Sequence, residues 1–413
     1  MDCLKYQQEA ERCLHCKVAM CQKKCPVGTP IPQITTLIKE GKYDEAAEIL
    51  FENNPLSAIT SVVCPHERNC YGNCVLGRKS EPISFYELEK ELSRNYLENF
   101  VPNPVEKKGK RVAVVGSGPS GITMAIRLLQ NGYDVTMFEA FENMGGVLTY
   151  GIPDFRLPKD YIALYKKMLF DMGMKFRPNT RIGTNITIED LMMDGYKAVF
   201  MATGTGKPNK LGLLGETLGH VHFAVDYLKY PDSTRIGKKV VVIGSGNVAM
   251  DAARTAILHA GSEVKILNYM ADEDISASRE EVKAALDEGA EIISLVQAIR
   301  ITDDYVRCVK VIKSVDEEGN ALFEEDYSET FDLEADSVII AIGQGPGFDI
   351  KSGYDVKLDR RGMMLVNEKG ETSQPGVYAA GDIVSGPKTV VEAVAFTIKV
   401  ADAIMEFLEN EGK

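Results

Sequence analysis

The sequence predicts an α/β protein: a small all-helical N-terminal part, then two units that each alternate strand, glycine turn, helix and strand. Three observations predict it. Of nine cysteines, eight lie in the first 74 residues, in a stretch with helical apolar spacing and no strand pattern. Two glycine-rich turns, at residues 116–121 and 244–249, each follow a run of β-branched residues and open an amphipathic helix. The chain has 413 residues, 45% hydrophobic and 26% charged. That is a globular composition with enough chain for two or three domains.

Charge narrows the partners. With 47 Lys and Arg against 60 Asp and Glu the net charge is −13, so the cation surplus that nucleic-acid phosphates require is missing. No apolar run approaches the about 18 residues of a membrane span. The N-terminus, MDCLKYQQEAERC, has no apolar signal core. A cytoplasmic location is expected.

The first cysteine group, RCLHCKVAMCQKKCP, holds Cys13, Cys16, Cys21 and Cys25, with Pro26 directly after the last. The second, VCPHERNCYGNC, holds Cys64, Cys70 and Cys74, and Cys308 stands alone. In a reducing compartment crowded cysteines are metal ligands more often than disulfides. Structural zinc wants four ligands from two separated pairs. Seven thiols at the unequal spacings C-x2-C-x4-C-x3-C-P and C-x5-C-x3-C suit two cubane iron–sulfur clusters, which leave one place for another ligand. In ferredoxin-type runs three cysteines hold one cluster and the fourth, before proline, reaches the other. Zinc and inert core cysteines are the competing readings.

Around the cysteines, residues 31–53 place Ile34, Leu37, Ile38, Ala46, Ile49 and Leu50 at helical spacing. SFYELEKELSRNYLENF gives a second amphipathic helix over 84–100. Pro102, Pro104 and the EKKGK run mark a linker. Residues 1–105 are therefore expected to form a helical domain that owes much of its stability to metal.

In KRVAVVGSGPSGITMAIRLLQNGYDVTMFEA an apolar strand over 112–115 runs into Gly116, Ser117, Gly118, Pro119, Ser120 and Gly121. The first glycine makes the tight turn, the second lets a pyrophosphate approach the backbone, and the third permits close helix–strand packing at a helix N-terminus that attracts phosphate. Glu139 ends the next strand, 18 residues after Gly121, where a ribose would offer its hydroxyls. Together they make a Rossmann-like dinucleotide unit. KKVVVIGSGNVAMDAARTAILHAGSEVKILN repeats it, with Gly244 and Gly246, then Asn247 and Val248, and Ala249 at the third position. Two such units suggest two dinucleotides, one resident and one exchangeable; the competing reading makes the second unit a scaffold.

Three further stretches look like the repeated signatures of two-dinucleotide flavoproteins. Met144-Gly145-Gly146-Val147-Leu148 is a second small-residue approach to a pyrophosphate. Val199-Phe200-Met201-Ala202-Thr203-Gly204 is a buried strand ending in a tight turn, and Gly376-Val377-Tyr378-Ala379-Ala380-Gly381-Asp382 is a strand closing on Gly-Asp. Thr389, before Val390, opens the last helix. In such flavoproteins the Gly-Asp carboxylate holds the ribityl chain, and the helix N-terminus faces the flavin pyrimidine ring and stabilises negative charge there.

With GIPDFRLP (151–158), VAMDAARTA, VIIAIGQ (338–344, ending in Gly343 and Gln344) and AAGDIVSGPKTVVEAV (379–394), these residues resemble the flavin-bearing small subunit of glutamate synthase and the flavin subunit of dihydropyrimidine dehydrogenase, over essentially the whole chain. The resemblance implies FAD in the first unit and a nicotinamide nucleotide in the second. It implies that Cys13, Cys16, Cys21 and Cys74 hold one 4Fe-4S cluster and Cys25, Cys64 and Cys70 the other. By position Glu89 completes the second; its neighbours Glu87 and Glu91 keep open the reading of a solvated helix face. Arg156 is implied near the flavin.

One departure bears on the nucleotide. NADPH-using relatives place basic residues after the second strand of the nicotinamide unit. This chain has Asn268-Tyr269-Met270 and then Asp272, Glu273 and Asp274, with Arg279 further on. Acids facing a 2′-phosphate are unfavourable, so the sequence favours NADH over NADPH, with Asn268 as the strand-end polar group. The domains are expected at 1–105, at 106–233 with 343–413 for FAD, and at 234–342 for NAD(P)H.

The implied activity is an NAD(P)H-dependent FAD and iron–sulfur oxidoreductase that passes electrons to a partner subunit. The cofactors carry the chemistry, so no catalytic side chain is expected. Nothing in the chain is left to bind a second organic substrate, which argues for a separate substrate-converting subunit or electron carrier. The alternatives are a dihydropyrimidine dehydrogenase or electron-bifurcating flavin subunit, and a non-enzymatic nucleotide-binding scaffold. A thioredoxin reductase-like disulfide reductase would need a C-x-x-C beside the nicotinamide, where only Cys308 exists.

Overall fold

The computed structural model describes residues 3–184, 186–316, 318–347 and 356–410. The chain folds as two compact units, one of residues 1–149, 154–205 and 346–413, the other of 150–153 and 206–345.

The first unit begins with six helices: α1 (Cys3–Glu11), α2 (Met20–Lys24), α3 (Ile31–Lys39), α4 (Tyr43–Asn53), α5 (Ser57–Val63) and α6 (Phe85–Glu98). Among the described residues no strand precedes residue 111. The apolar spacing over 31–53 belongs to two helices, because Gly41 at φ +74° turns the chain between α3 and α4. Ile31, Ile34, Ile38, Ala46, Leu50, Phe85, Leu88 and Leu92 form one core with Cys70.

The rest of this unit is a five-stranded parallel sheet. Its strands are β1 (Arg111–Val115), β2 (Asp134–Phe138), β3 (Lys175–Arg177), β4 (Tyr196–Met201) and, from the C-terminal part, β15 (Val377–Ala379), in the order β15-β4-β1-β2-β3. Between them run α7 (Pro119–Gln130), α8 (Val147–Tyr150), α9 (Asp160–Asp171) and α10 (Ile188–Met193); after β15 come α14 (Asp382–Ser385) and α15 (Val390–Asn410). The helical part packs directly on this sheet layer. Arg127 of α7 donates to the Glu52 carbonyl, and Arg94 of α6 pairs with Asp160 of α9 at 2.7 Å.

The second unit repeats the sheet. It contains β5 (Lys207–Pro208), β6 (Val221–Phe223), β7 (Lys239–Ile243), β8 (Glu263–Asn268), β9 (Glu291–Ser294), β10 (Val296–Ile301), β11 (Tyr305–Val315), β12 (Ala321–Glu334), β13 (Ser337–Ile340) and β14 (Gln344–Gly345). Its helices are α11 (Ala224–Lys229), α12 (Asn247–Ala260) and α13 (Arg279–Asp287). In the parallel order β6-β13-β7-β8-β9 the last four strands match β4-β1-β2-β3 of the first sheet, while the edge strand comes from the opposite end of the chain segment, and β10-β11-β12 form a separate antiparallel sheet. Residues 206–233, expected with the FAD part, belong here instead. β6 hydrogen-bonds to β13, with Val221 opposite Val338, and β5 pairs with β14. That non-local pairing leaves no trace in the local sequence pattern.

Candidate functional site

Directly after β1 and after β7 stands a glycine whose conformation and neighbours leave no room for a side chain. Gly116 has φ +102°, and a Cβ there would overlap the Ala202 carbonyl oxygen; Gly244 has φ +125°, and its Cβ would overlap the Ala341 carbonyl oxygen. Gly118 and Gly246 cap α7 and α12, so the helix N-termini open directly onto the turns. In the first unit a Cβ on Gly146 would come 2.9 Å from the Gly118 Cα, so the two small-residue loops pack backbone to backbone. A Cβ on Gly381 would lie 2.5 Å from the Ser120 Oγ, which brings the Gly381–Asp382 turn against the start of α7. Pro119 is the first residue of α7, Val147 is exposed, and Leu148 is buried with its carbonyl accepting from Lys159 at 2.9 Å. Arg156 is half-buried in the segment after α8.

Glu139 is 5% exposed. Its Oε2 accepts from the Ser117 N–H at 3.0 Å and the Ser117 hydroxyl at 2.5 Å, and its Oε1 from the Phe141 N–H at 3.0 Å. A carboxylate offers about four acceptor sites, so one lone pair on Oε1 remains unused. Thr203 and Thr205, flanking Gly204 in the turn after β4, have buried hydroxyl oxygens without a partner. Orphaned hydroxyls beside a glycine cradle are the features a dinucleotide would satisfy, and FAD fits them. The strand-and-turn pattern marks this turn in the sequence, but not that the hydroxyls of Thr203 and Thr205 are buried.

Asp382 is pushed up to about 6 by burial, with Glu392 adding to the shift, while the Lys388 N–H donates to it at 3.3 Å. Thr389 and Glu392 form a reciprocal capping pair at the start of α15: the Thr389 hydroxyl donates to Glu392 Oε2 at 2.5 Å and the Glu392 N–H donates to Thr389 Oγ1 at 3.4 Å.

Among the described residues no three His, Cys, Asp or Glu side chains converge on one point as the ligands of a single ion. The thiols stand around two adjoining cavities instead. Cys13, Cys16, Cys21 and Cys74 line the first, with Leu14, Met20 and Leu76. Cys25, Cys64 and Glu89 line the second, with His66, Asn69 and Val391, and Cys70 stands in the wall of both. Burial pushes Cys21 up to about 11, Cys64 to about 12 and Cys70 higher still, so these thiols are protonated until a metal claims them. Glu89 is 8% exposed, and burial alone pushes its carboxyl up to about 8. Its neighbours Glu87 and Glu91 lie on other faces of α6 and line neither cavity. A donor set of buried soft thiols with one buried carboxyl fits iron–sulfur clusters. His66, stacked on Tyr86 at 4.3 Å with its Nε2 buried and unpartnered, was not foreseen as part of this wall.

In the second unit the Ser245 hydroxyl donates to Asn268 Oδ1 at 2.7 Å, the counterpart of the Ser117–Glu139 contact. Asn268 ends β8. It is 0% exposed; its amide donates to the carbonyls of Met270 and Ala271 and to Ser294 Oγ, and its Oδ1 also accepts from the Met270 N–H. Its polar atoms are used within the protein, by the turn after β8 and by Ser245 and Ser294, so it shapes the strand end. Asn247 Oδ1 accepts from the Ser278 N–H at 2.9 Å; Val248 is exposed and Ala249 buried at the third position. Gly343, at φ +91°, lies just before β14, with its carbonyl accepting from the Asn209 N–H.

The acids after β8 are also less free than the sequence suggests. Lys313 of β11 pairs with Glu273 and Asp274, each at 2.6 Å, and Asp272 accepts from the Ser294 hydroxyl. Arg279 is exposed at the start of α13, just after the segment whose Ser278 reaches Asn247.

The family model of the pyridine nucleotide-disulphide oxidoreductases matches residues 110–396, and that of dihydropyrimidine dehydrogenase domain II, 4Fe-4S cluster, matches residues 2–100. The glutamate synthase (NADPH) small chain of Escherichia coli (strain K12) is 33% identical, with 97% of this chain and 91% of the relative covered. The small chain from Azospirillum brasilense is 33% identical with 98% and 90% covered. The beta subunit of the NADP(+)-dependent formate dehydrogenase of Moorella thermoacetica is 33% identical, covering 95% of this chain and 60% of its own length. Among solved structures, Mycobacterium tuberculosis FprA in complex with NADPH shares the fold at a TM-score of 0.62, with 20% identity and 73% and 85% of the two chains covered. The chain belongs to the pyridine nucleotide-disulphide oxidoreductase family and, with the glutamate synthase small chains, to its FAD- and 4Fe-4S-dependent electron-transfer subunits.

Proposed function

We propose that this chain takes electrons from NADH and delivers them through FAD and two 4Fe-4S clusters to a separate acceptor protein or subunit. When bound, FAD accepts a hydride from the nicotinamide and hands its two electrons on singly to iron–sulfur centres. Gly116, Gly118, Gly121 and Gly146 would admit the FAD pyrophosphate, Glu139 the ribose, and Asp382 the ribityl chain. Gly244, Gly246 and the start of α12 would admit the pyrophosphate of the exchangeable nucleotide. Cys13, Cys16, Cys21 and Cys74 would hold one cluster, and Cys25, Cys64, Cys70 and Glu89 the other.

The observation that carries this reading is the place of α15. Just before it the Lys388 N–H donates to Asp382, Thr389 and Glu392 cap its first turn, and its Val391 walls the cavity of Cys25, Cys64 and Glu89. A flavin and a cluster held at these two places would lie on two sides of one helix end, an arrangement that serves one-electron transfer.

NADH is favoured because the strand end offers Tyr269 and Met270 where a 2′-phosphate would need cations, and Lys313 is already committed to two carboxylates. Several relatives carry NADPH in their names, so the preference is the point to test. The test is anaerobic stopped-flow reduction with each nucleotide, read at the flavin band and by electron paramagnetic resonance of the frozen product, with iron counted. Expected are about eight irons per chain, faster bleaching by NADH, and cluster signals appearing as the flavin bleaches. Bleaching without cluster signals would sink the electron route, and faster reduction by NADPH would sink the nucleotide preference.

A further inference from the structure

The chain carries 60 acids, yet from Arg12 to Lys39 there is none, while five bases fall in that stretch. This stretch supplies most of the wall of the first thiol cavity: Cys13, Leu14, Cys16, Ala19, Met20, Cys21, Ile31 and Pro32. Interleaved with those lining residues, Lys17, Lys23 and Lys24 are exposed. Among the described residues their ammonium groups make no hydrogen bond or ion pair. Arg12 is spent on Glu9, and Lys39 lies 2.8 Å from His15 Nε2. Arg78 and Lys79, exposed just beyond Val75 and Leu76 of the same wall, add two cations against Glu81. Leu14 and Val18, in the same stretch, are 57% and 52% exposed. Exposed apolar side chains among unpaired cations, in an acid-free stretch of a protein of net charge −13, are the features of a docking face for a partner of opposite sign.

We infer that an electron carrier with an acidic surface docks on this face, its acids opposite Lys17, Lys23 and Lys24 and its apolar centre on Leu14 and Val18. The inference rests on the proposed electron route, since only a cluster behind this wall gives a carrier reason to dock here. Nucleic acid is disfavoured by the charge of the rest of the surface. The competing account is that the lysines merely offset the negative charge of the cluster behind them. It predicts a change in cluster potential and no discrimination between carriers.

The test uses two haem proteins of opposite charge as one-electron probes, acidic cytochrome b5 and basic cytochrome c. Each NADH oxidised to NAD+ and a proton supplies two electrons, which reduce two haem irons from Fe3+ to Fe2+. The holoprotein should reduce cytochrome b5 faster than cytochrome c at low salt, and the advantage should vanish toward about 0.5 M salt, where screening is short-ranged. Lys17→Glu/Lys23→Glu/Lys24→Glu should slow cytochrome b5 reduction about tenfold or more, weaken its binding in titration calorimetry, and speed cytochrome c. Flavin bleaching by NADH and iron content should stay unchanged. Leu14→Ser/Val18→Ser, which leaves the charge alone, should weaken binding without altering the salt slope.

Faster reduction of cytochrome c by the unaltered protein, or both probes within about twofold in the triple variant, would overturn the inference. A shifted cluster potential with unchanged discrimination would also overturn it and leave the charge-offset account. Loss of flavin bleaching in the unaltered protein would count against the proposed function itself. If the triple variant loses iron, the salt dependence of the unaltered protein decides.

Discussion

The two glycine turns share one backbone and differ in one side chain. In each, the strand hands over to a glycine pressed on a neighbouring carbonyl, a serine hydroxyl crosses to the end of the next strand, and a helix opens on the turn. At that strand end the first unit has Glu139, which keeps an acceptor free, and the second has Asn268, which keeps nothing free. The difference suits the expected tenants. A resident dinucleotide repays a buried carboxylate reserved for its ribose. An exchangeable one is served by a turn that is already complete and opens no unsatisfied group when the nucleotide leaves.

The largest effect should come from breaking what the turns share. Gly116→Ala and Gly244→Ala each force an L side chain into positive φ and onto a carbonyl oxygen, at a cost of about 3 kcal/mol or more. Gly116→Ala should yield protein with no flavin absorbance. Gly244→Ala should keep the yellow colour but lose bleaching by NADH. If both variants lose flavin, the two turns do not have separate tenants.

Exchanging the strand-end residues comes next. Asn268→Asp removes the amide that donates to Met270, Ala271 and Ser294 and sets a negative charge against two carbonyls, at about 2–3 kcal/mol. It should lower the unfolding midpoint of the second unit even without nucleotide. Glu139→Gln should show its main effect in ligand retention, with FAD lost on gel filtration. Equal loss of stability in both variants, with FAD retained, would erase the contrast between them.

Much of this was legible in the sequence, because glycine turns and cysteine spacings are local. Six of the seven clustered thiols sort into two cavities with Cys70 between them, and Glu89 rather than Glu87 or Glu91 turns inward with them. What stayed hidden depends on residues far apart in the chain. The acids after β8 looked like a barrier to phosphate, but Lys313, some 40 residues on, pairs with two of them. Likewise β6 joins the second sheet by pairing with β13, more than a hundred residues away.

The first unit has a third contributor that the second lacks, the Gly381–Asp382 turn, and its carboxyl gives a pH signature. Asp382 sits at about 6 when folded against 3.8 when free. Its raised value means that its contribution is fully present below pH 3.8 and is lost as pH rises through 6. In flavin-stripped protein the stability of the unaltered chain relative to Asp382→Asn should therefore fall by up to about 3 kcal/mol between pH 4 and 7. Urea unfolding of the pair across that range measures it. A flat difference would mean that the carboxyl is solvated and is not held ready for a ribityl chain.

The smallest effect sharpens the second turn. Arg279 is the exposed cation that follows the acids after β8, and its helix begins where Ser278 holds Asn247 against the glycine turn. If the chain accepts NADPH at all, a 2′-phosphate has this guanidinium to meet, while NADH has no group that needs it. Arg279→Ala should lower kcat/KM for NADPH about tenfold, or 1.4 kcal/mol, and leave NADH within about twofold. Equal losses for both would place Arg279 at the pyrophosphate common to the two nucleotides. The preference would then rest on Tyr269 and Met270 alone, and restoring cations at those two positions should convert the enzyme to NADPH.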